Sequence, residues 1–485
     1  MTQLLNLIGG EFRAPESGTW SDRGRTPDGR QDLEPLPDSD ARDVEHAMRA
    51  ARSARAAWAD LSPFARADVL RAIAVHLRNE STSLAETICH EVGKPIADAA
   101  GEIENAARVL EFYAGLAHEM GGDHLPSRQA DVHMFTRREP RGLVGVITPW
   151  NFPVNLAVVK LAPALLAGNV AVWKPAQQAA TSSDRFARIL VDSGVPAGVI
   201  NMVLGDGTVV GAAVTESDLD GISFTGSCAV GQRIESSCAA RGVRSLTELG
   251  GKNVAVVCAD ADLDAAADAI VNGAFRFAGQ RCTATSRVVV EDSAHDALVQ
   301  RLQNRVSQLV VGAPEDPSTF LGPMISSGAR DGVLEHIAVA RSMGAELVVG
   351  GEAAVVTAAP DGAFLQPTVL TGVTAGMRIA QEELFAPVLV VIRVRSIDDA
   401  FDAADATDFG LTAAIFTRSL DTAFAFIDRA DVGAVQVNLP TAGLEYQSPV
   451  GGRRNSGSGG LEQGVAALDF YTRSKAVAIR YTTGG

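Results

Sequence analysis

Between Gly142 and Phe224 the chain alternates short β-branched runs with stretches of helical spacing. Gly142–Thr148 is followed by Leu156, Val159, Leu161 and Leu165, then by Val170–Trp173, Phe186–Val191, Val199–Leu204, Val209–Val214 and Gly221–Phe224. Each strand and helix together take about 30 residues, the length of a crossover between parallel strands. The strand-like runs are apolar throughout rather than alternating, as strands buried on both faces are. The predicted fold class is therefore α/β, with a doubly wound parallel sheet that receives nucleotides at the carboxyl ends of its strands.

The same texture resumes after Glu248 with Val254–Val257, a helix opening at Asp262, the strand Ser286–Val290 and a helix over Ala294–Leu309, which predicts a second α/β unit. Ahead of the first sheet, Val44, Met48, Ala51, Ala54 and Trp58 lie on one helical face behind a Ser39/Asp40 cap, and Phe64–Leu77 and Leu84–Leu116 continue as helix after a hairpin-like start. Arg137–Arg141 reads as a basic, proline-containing turn, and Ala467–Tyr481 as an extended edge suited to pairing with another chain. The expected division is a discontinuous cofactor domain (1–121 and 140–250), a catalytic domain (251–450) and a small bridging β element (122–139 and 468–485).

A length of 485 residues, at roughly 150 per domain, fits this division. With 42 basic against 58 acidic residues and a formal net charge of −16, the surface repels nucleic acid and anionic lipid, so neither is an expected partner. Leu161–Trp173 is too short to span a bilayer, and the start, MTQLLNLIGGEF, lacks the basic and apolar regions of a signal peptide. The five cysteines form no C-x-x-C pair and have no histidine at zinc-finger spacing, so no metal site is expected and a cytoplasmic location is.

Three segments carry candidate chemistry. Cys282, in Gly279-Gln-Arg-Cys-Thr-Ala, sits among small and polar residues between a helix and a strand, where Arg281 favours the thiolate. Glu248 precedes a double glycine, which places it at an exposed turn. Asn151, in Thr148-Pro-Trp-Asn-Phe-Pro, follows a strand, so that its amide can face a developing oxyanion. Each has an ordinary counterpart: a buried cysteine, a solvated glutamate, a turn asparagine. Gly205, Gly207 and Gly211, and Gly226, Ser227 and Gly231, follow strands without matching the G-x-G-x-x-G fingerprint; their position suits phosphate better than their spacing does.

Taken in order, Pro149-Trp-Asn-Phe-Pro, Lys174-Pro-Ala, Phe224-Thr-Gly-Ser, Glu248-Leu-Gly-Gly-Lys, Gly279-Gln-Arg-Cys, Glu382-Glu-Leu-Phe-Ala-Pro and Pro449-Val-Gly-Gly with Ser456-Gly457 resemble the aldehyde dehydrogenase superfamily along nearly the whole chain. The Gly-Gln-Arg-Cys-Thr-Ala run, Val437–Gly443 and Asp469–Tyr471 are most similar to its 2-oxoglutarate semialdehyde (2,5-dioxopentanoate) branch. The resemblance implies a Rossmann-type cofactor domain and oxidation of an aldehyde to an acid with NAD(P). It makes Cys282 the nucleophile, Asn151 and the Cys282 N–H the oxyanion donors, Glu248 the base for thioester hydrolysis and Lys160 a proton relay. It also assigns Thr148, Trp150, Lys174, Gln177, Gly207, Gly226, Ser227, Gly231, Glu383 and Phe385 to the cofactor. Phe152, Leu156, Arg281 and the loop Thr441–Gln447 fall at the substrate mouth, and a homodimer or homotetramer is implied.

Departures from the family pattern shape the expectations. Gln177 stands where many NAD-preferring members have glutamate, which removes a charge that repels a 2′-phosphate and leaves Lys174 free to pair with it, so NADP is somewhat favoured. Ala386 replaces the usual glycine and Val450 the usual phenylalanine. Arg281 is a candidate clamp for the far carboxylate of an acidic semialdehyde. Alternatives are a dehydrogenase of neutral aldehydes, an acyl-transferring enzyme and a non-catalytic binding protein on the same fold.

Overall fold

The computed structural model describes residues 3–481. Its first sheet runs in the spatial order Glu11–Arg13, Asn6–Ile8, Ile200–Met202, Val170–Pro175, Leu143–Thr148, Gly221–Thr225, Arg244–Glu248, Gly457–Ser458. The five central strands are parallel, and the antiparallel partners Asn6–Ile8 and Gly457–Ser458 flank them. From Leu143–Thr148 the chain first winds outward to Val170–Pro175 and Ile200–Met202, then returns to lay Gly221–Thr225 on the other side. The order reverses between Thr148 and Thr225, and their carboxyl ends bound the crevice where such a sheet takes its ligand.

Helices cover this sheet because their apolar faces need it. Ala41–Ala59 begins at Asp40, whose side chain accepts from the Arg42 amide while Asp43 reaches back to the cap, and it buries Val44, Met48, Ala51 and Trp58. Pro63–Asn79, Ser81–Val92 and Ile96–Gly115 follow. Helix Asn155–Leu166 is apolar on all sides, and its residues from Ala157 to Leu166 are buried, Lys160 among them.

The second sheet has the order Glu346–Val349, Thr368–Thr371, Val388–Val394, Arg287–Glu291, Val254–Val257, Thr412–Phe416, Ala434–Val437, parallel except for its first pair. Lys252, Cys282 and Glu383 all lie just before strands of this sheet. Its amino edge therefore faces the carboxyl edge of the first sheet, and the site forms between them.

A third sheet joins His124–Leu125, Val132–Pro140 and Thr472–Arg480. Two local expectations are corrected here. Residues 137–140 complete a strand rather than a turn, since Pro140 closes it where no further ladder N–H is needed. The tail is not extended from its start: Ala467–Tyr471 is a short helix whose Ala467, Leu468, Phe470 and Tyr471 are buried, and only Thr472–Arg480 is strand. That strand pairs with residues 132–140 of its own chain. The last residues of the expected bridging element, 482–485, lie outside the described residues.

Candidate active site

Cys282, the candidate nucleophile, follows a strained turn. After helix Leu263–Phe275 the backbone passes through Phe277 and Ala278, both at φ 51°, and Gly279 at φ 67°. A left-handed non-glycine residue costs roughly 1–2 kcal/mol, so packing must impose this path. At Gly279 a Cβ would run into the Ala386 carbonyl, which makes glycine a requirement. Beyond the turn, Gln280 is fully buried and spans to a neighbouring segment: its Oε1 accepts from the Ile325 amide at 2.8 Å. Its backbone oxygen accepts from Asn151 Nδ2 at 3.0 Å. Asn253 completes the support, donating through Nδ2 to the Cys282 oxygen at 2.7 Å and to the Ala284 oxygen at 2.8 Å.

Asn151 is buried at the first sheet's switch point, and its Oδ1 has no hydrogen-bond partner among the described residues. With one Nδ2 hydrogen committed to Gln280, the other remains for an oxyanion. Cys282 is partly exposed, yet its thiol is pushed up to about 12 by burial and by the carboxylates of Glu383, Glu248 and Glu462, against one favourable amide at Thr283. The Arg281 charge interacts with Cys282 but does not offset this burial. That guanidinium turns away, and its Nη2 donates to the carbonyls of Asn272 and Gly273, both at 2.8 Å.

Glu248 is not at an exposed turn. It ends strand Arg244–Glu248 with 7% of its surface accessible, because the antiparallel segment Gly457–Ser458 and the following loop close over it. Its carboxylate accepts from the Gly452 amide at 3.2 Å. Burial and the neighbouring Glu462 carboxylate push its pKa well up, with Lys160 opposing. Lys160 pairs with Glu462 and donates to Ser223 Oγ at 3.1 Å, so Glu248, Lys160 and Glu462 form one buried, mutually coupled group. Glu462 was not singled out in the sequence; it lies 302 residues from Lys160 and carries no local signature. Gln280 and Asn253 were visible in their motifs, but only the fold shows which carbonyls they hold.

Of the residues assigned to the cofactor, Thr148, Lys174, Gly226 and Ser227 fall at or just after the carboxyl ends of first-sheet strands, and Glu383 and Phe385 lie ahead of strand Val388–Val394. Thr148 Oγ1 accepts from Trp173 Nε1 at 2.9 Å, and Trp150 packs edge-on against Phe385 at 5.7 Å and Phe277 at 6.1 Å. Phe385 is itself left-handed at φ 54°. Gly226 donates to the Glu248 backbone oxygen at 3.1 Å, and Ser227 caps helix Cys228–Arg241 without any side-chain hydrogen bond; its carbonyl accepts from Val230 and Gly231, which leaves the Cys228 and Ala229 amides for an anion. A Cβ at Gly231 would strike the Leu249 side chain. Glu383 accepts from the Gly251 amide at 3.0 Å and is raised to about 7 by burial.

At the far end a cleft of about 600 Å³ is lined by Gln177, Asp206 and Val209 among others. Lys174 is buried near Gly207 and makes no ion pair among the described residues, and burial lowers it to about 8. A buried ammonium without a carboxylate and an uncapped helix start suit the ribose and phosphates of a dinucleotide. Asp206 opposes the fall at Lys174 and shares the cleft with Gln177, as do Asp22, Asp38, Asp40 and Glu91, which places acidic groups where the sequence pattern suggested none.

On the other side of the nucleophile a second cavity, about 370 Å³, is lined by Phe152 and Arg281 together with Lys94, Asp98, Glu102 and Arg276. Leu156 and the loop Thr441–Gln447 do not line it. Asn155 takes the wall position beside Phe152, while Thr441 lies beneath the nucleophile, donating to the Thr283 oxygen at 2.8 Å.

A cysteine, a buried carboxylate and an amide converging at the mouth of a nucleotide crevice define a dehydrogenase that works through a covalent thioester. The chain belongs to the aldehyde dehydrogenase family, whose model matches residues 23–477. It is 39% identical over 477 residues, 98% of each chain, to an alpha-ketoglutaric semialdehyde dehydrogenase of Bacillus subtilis. Betaine aldehyde dehydrogenase of Staphylococcus aureus, solved with NAD+, is similar in structure at a TM-score of 0.95 and 32% identity, covering 99% of this chain and 95% of that one. A 3,6-anhydro-L-galactose dehydrogenase solved with NADP gives 0.94 and 32%, covering 99% and 100%. The chain is an NAD(P)-dependent aldehyde dehydrogenase, as its motifs suggested.

Proposed function

We propose that the chain oxidises an acidic semialdehyde, of the 2-oxoglutarate semialdehyde type, to the corresponding dicarboxylate. The observation that carries this is the charge pairing in the 370 Å³ cavity. Lys94 is paired with Glu102, and Arg276 with Asp98 at 3.0 Å. Arg281 meets only backbone carbonyls among the described residues, and its Nε has no partner. A guanidinium with spare donors in an otherwise neutralised wall suits one carboxylate, which puts the aldehyde end toward Cys282. The semialdehyde relative supports the same substrate class.

In this reading the Cys282 thiolate adds to the aldehyde carbon, and the oxyanion of the thiohemiacetal is held by Asn151 Nδ2 and the Cys282 N–H. A bound nicotinamide supplies the hydride acceptor that turns this adduct into a thioester. Trp150, Glu383 and Phe385 would hold that ring and its ribose, and Lys174, Gly207, Gly226, Ser227 and Gly231 the rest of the dinucleotide. Glu248 then takes a proton from water, whose oxygen attacks the thioester carbon; the carbon–sulfur bond breaks, the acid leaves and Cys282 departs as the thiolate that began the cycle. Lys160 and Glu462 carry the proton onward from Glu248. Hydrolysis by a buried base favours a free acid over transfer to coenzyme A. Gln177 and Lys174 suit NADP, whereas Asp206 opposes it, and we keep the reading that NADP is accepted at least as well as NAD.

Self-association as a homodimer or homotetramer is supported by two sheet edges, Thr472–Arg480 and Ala434–Val437, each the last strand of its sheet. Among the described residues no helix is long and apolar enough to cross a membrane. A cytoplasmic location is supported by the need to keep Cys282 reduced. Initial rates over carboxylated, neutral and aromatic aldehydes with both cofactors test the reading. Highest kcat/KM for carboxylated semialdehydes is expected, and a preference for neutral aldehydes overturns it.

A further inference from the structure

Lys94 and Glu102 form an ion pair whose side chains are both fully buried. Such a pair costs desolvation that a pair of apolar residues would not, so its contacts show what it holds in place. Glu102 Oε1 accepts from the backbone amides of Val154 at 2.9 Å and Asn155 at 3.1 Å, which open the helix that carries Lys160. These amides have no side-chain cap of their own, and a carboxylate at a helix start is favoured by the dipole as well. The Lys94 ammonium lies 3.8 Å from the Phe152 ring centroid and 4.6 Å from that of Phe277.

These contacts hold the chain that follows Asn151 and the turn that receives its amide. Phe152 follows Asn151 in the chain, Val154 and Asn155 anchor the segment behind it, and Phe277 begins the left-handed turn leading to Gln280, whose oxygen receives Asn151 Nδ2. Glu102 itself stands on helix Ile96–Gly115, so the pair ties this helix, the loop after strand Leu143–Thr148 and the nucleophile turn to one point.

We infer that Lys94 and Glu102 are positioning residues for Asn151, setting the distance between its amide and the carbon held by Cys282. This rests on the assignment of Asn151 as oxyanion donor. Neither residue touches the reacting atoms. Their effect passes through the placement of the Asn151 side chain, and therefore falls on kcat more than on KM.

A double-mutant cycle tests this. K94M/E102Q replaces the pair by neutral groups of similar shape, with the glutamine oxygen still able to accept from Val154 and Asn155. E102D keeps the charge but draws the acceptor back from both amides. Each is measured in the wild-type and N151A backgrounds, with thermal melting to confirm folding. In the wild-type background kcat is expected to fall about tenfold with KM within about twofold, and in N151A the same changes are expected to alter kcat by less than about twofold. Equal losses in both backgrounds, or a loss confined to KM, overturn the inference while leaving the role of Asn151 standing. An N151A enzyme with undiminished kcat overturns the role of Asn151 and this inference with it. Should K94M/E102Q fail to fold, the E102D cycle decides by the same criterion.

Discussion

Asn253 grips the nucleophile by its backbone: Nδ2 lies 2.7 Å from the Cys282 oxygen, while Oδ1 receives the Thr412 amide at 3.2 Å. A single amide side chain thus fastens the strained turn to strand Thr412–Phe416 of the second sheet. Asn253→Ala leaves the buried carbonyls of Cys282 and Ala284 without their donor, a loss of about 1–3 kcal/mol in stability. Chemical denaturation should register it, accompanied by a fall in kcat; an unchanged midpoint would show that water replaces the amide.

The proposed role of Glu248 is to activate water against the thioester. In Glu248→Gln a rapid burst of reduced cofactor, about one equivalent per site, is expected to persist while steady turnover falls by roughly 10²–10⁴. Stopped-flow absorbance resolves the two phases. Loss of the burst itself would give Glu248 a role in the first half of the reaction.

The raised thiol predicts slow alkylation in the absence of cofactor. With a pKa of about 12, on the order of one thiol in 10⁴ is ionised at pH 8, so the rate at Cys282 should climb about tenfold per pH unit between pH 7 and 10. Removing a nearby negative charge lowers a thiol's pKa, so Glu248→Gln should react faster than wild type at the same pH. Peptide mass spectrometry with iodoacetamide follows the site directly, and a plateau below pH 9 contradicts the expectation.

Arg281→Ala is expected to raise KM for carboxylated semialdehydes about ten- to a hundredfold and to change KM for neutral aliphatic aldehydes by less than about threefold. Parallel changes for both substrate classes would mean that the guanidinium serves the carbonyls of Asn272 and Gly273 alone.

Cofactor choice rests on opposing charges at one cleft. Gln177→Glu should lower kcat/KM with NADP by about tenfold or more relative to NAD, whereas Asp206→Asn should move the ratio toward NADP. Ratios that do not respond to either change would place the 2′-position elsewhere.

The parts of this architecture that depend on local chemistry were readable from the chain. Val254–Val257 is an unbroken apolar run opening after Asn253, and its ends match the strand. Asp40 and Asp262 mark helix starts because a short carboxylate satisfies first-turn amides. What escaped depends on distant partners. The double glycine after Glu248 marks a chain reversal but not the segment that closes over it, so a buried carboxylate read as a solvated one. Phe277 and Ala278 have ordinary helical composition, yet both are left-handed, with Phe277 packed against Trp150, Phe152 and the Lys94 ammonium. Arg281 was visible as a charge beside the nucleophile; which way it turned was settled by two backbone carbonyls.

The first sheet is completed by Gly457–Ser458 and the third by Thr472–Arg480, although both are organised around strands laid down before residue 250. During synthesis, therefore, the crevice lacks its outer wall and Glu248 its cover until Gly457–Ser458 has emerged, long after the strands it completes. Closure of this site is consequently a late step, in which downstream segments finish a sheet that earlier strands began.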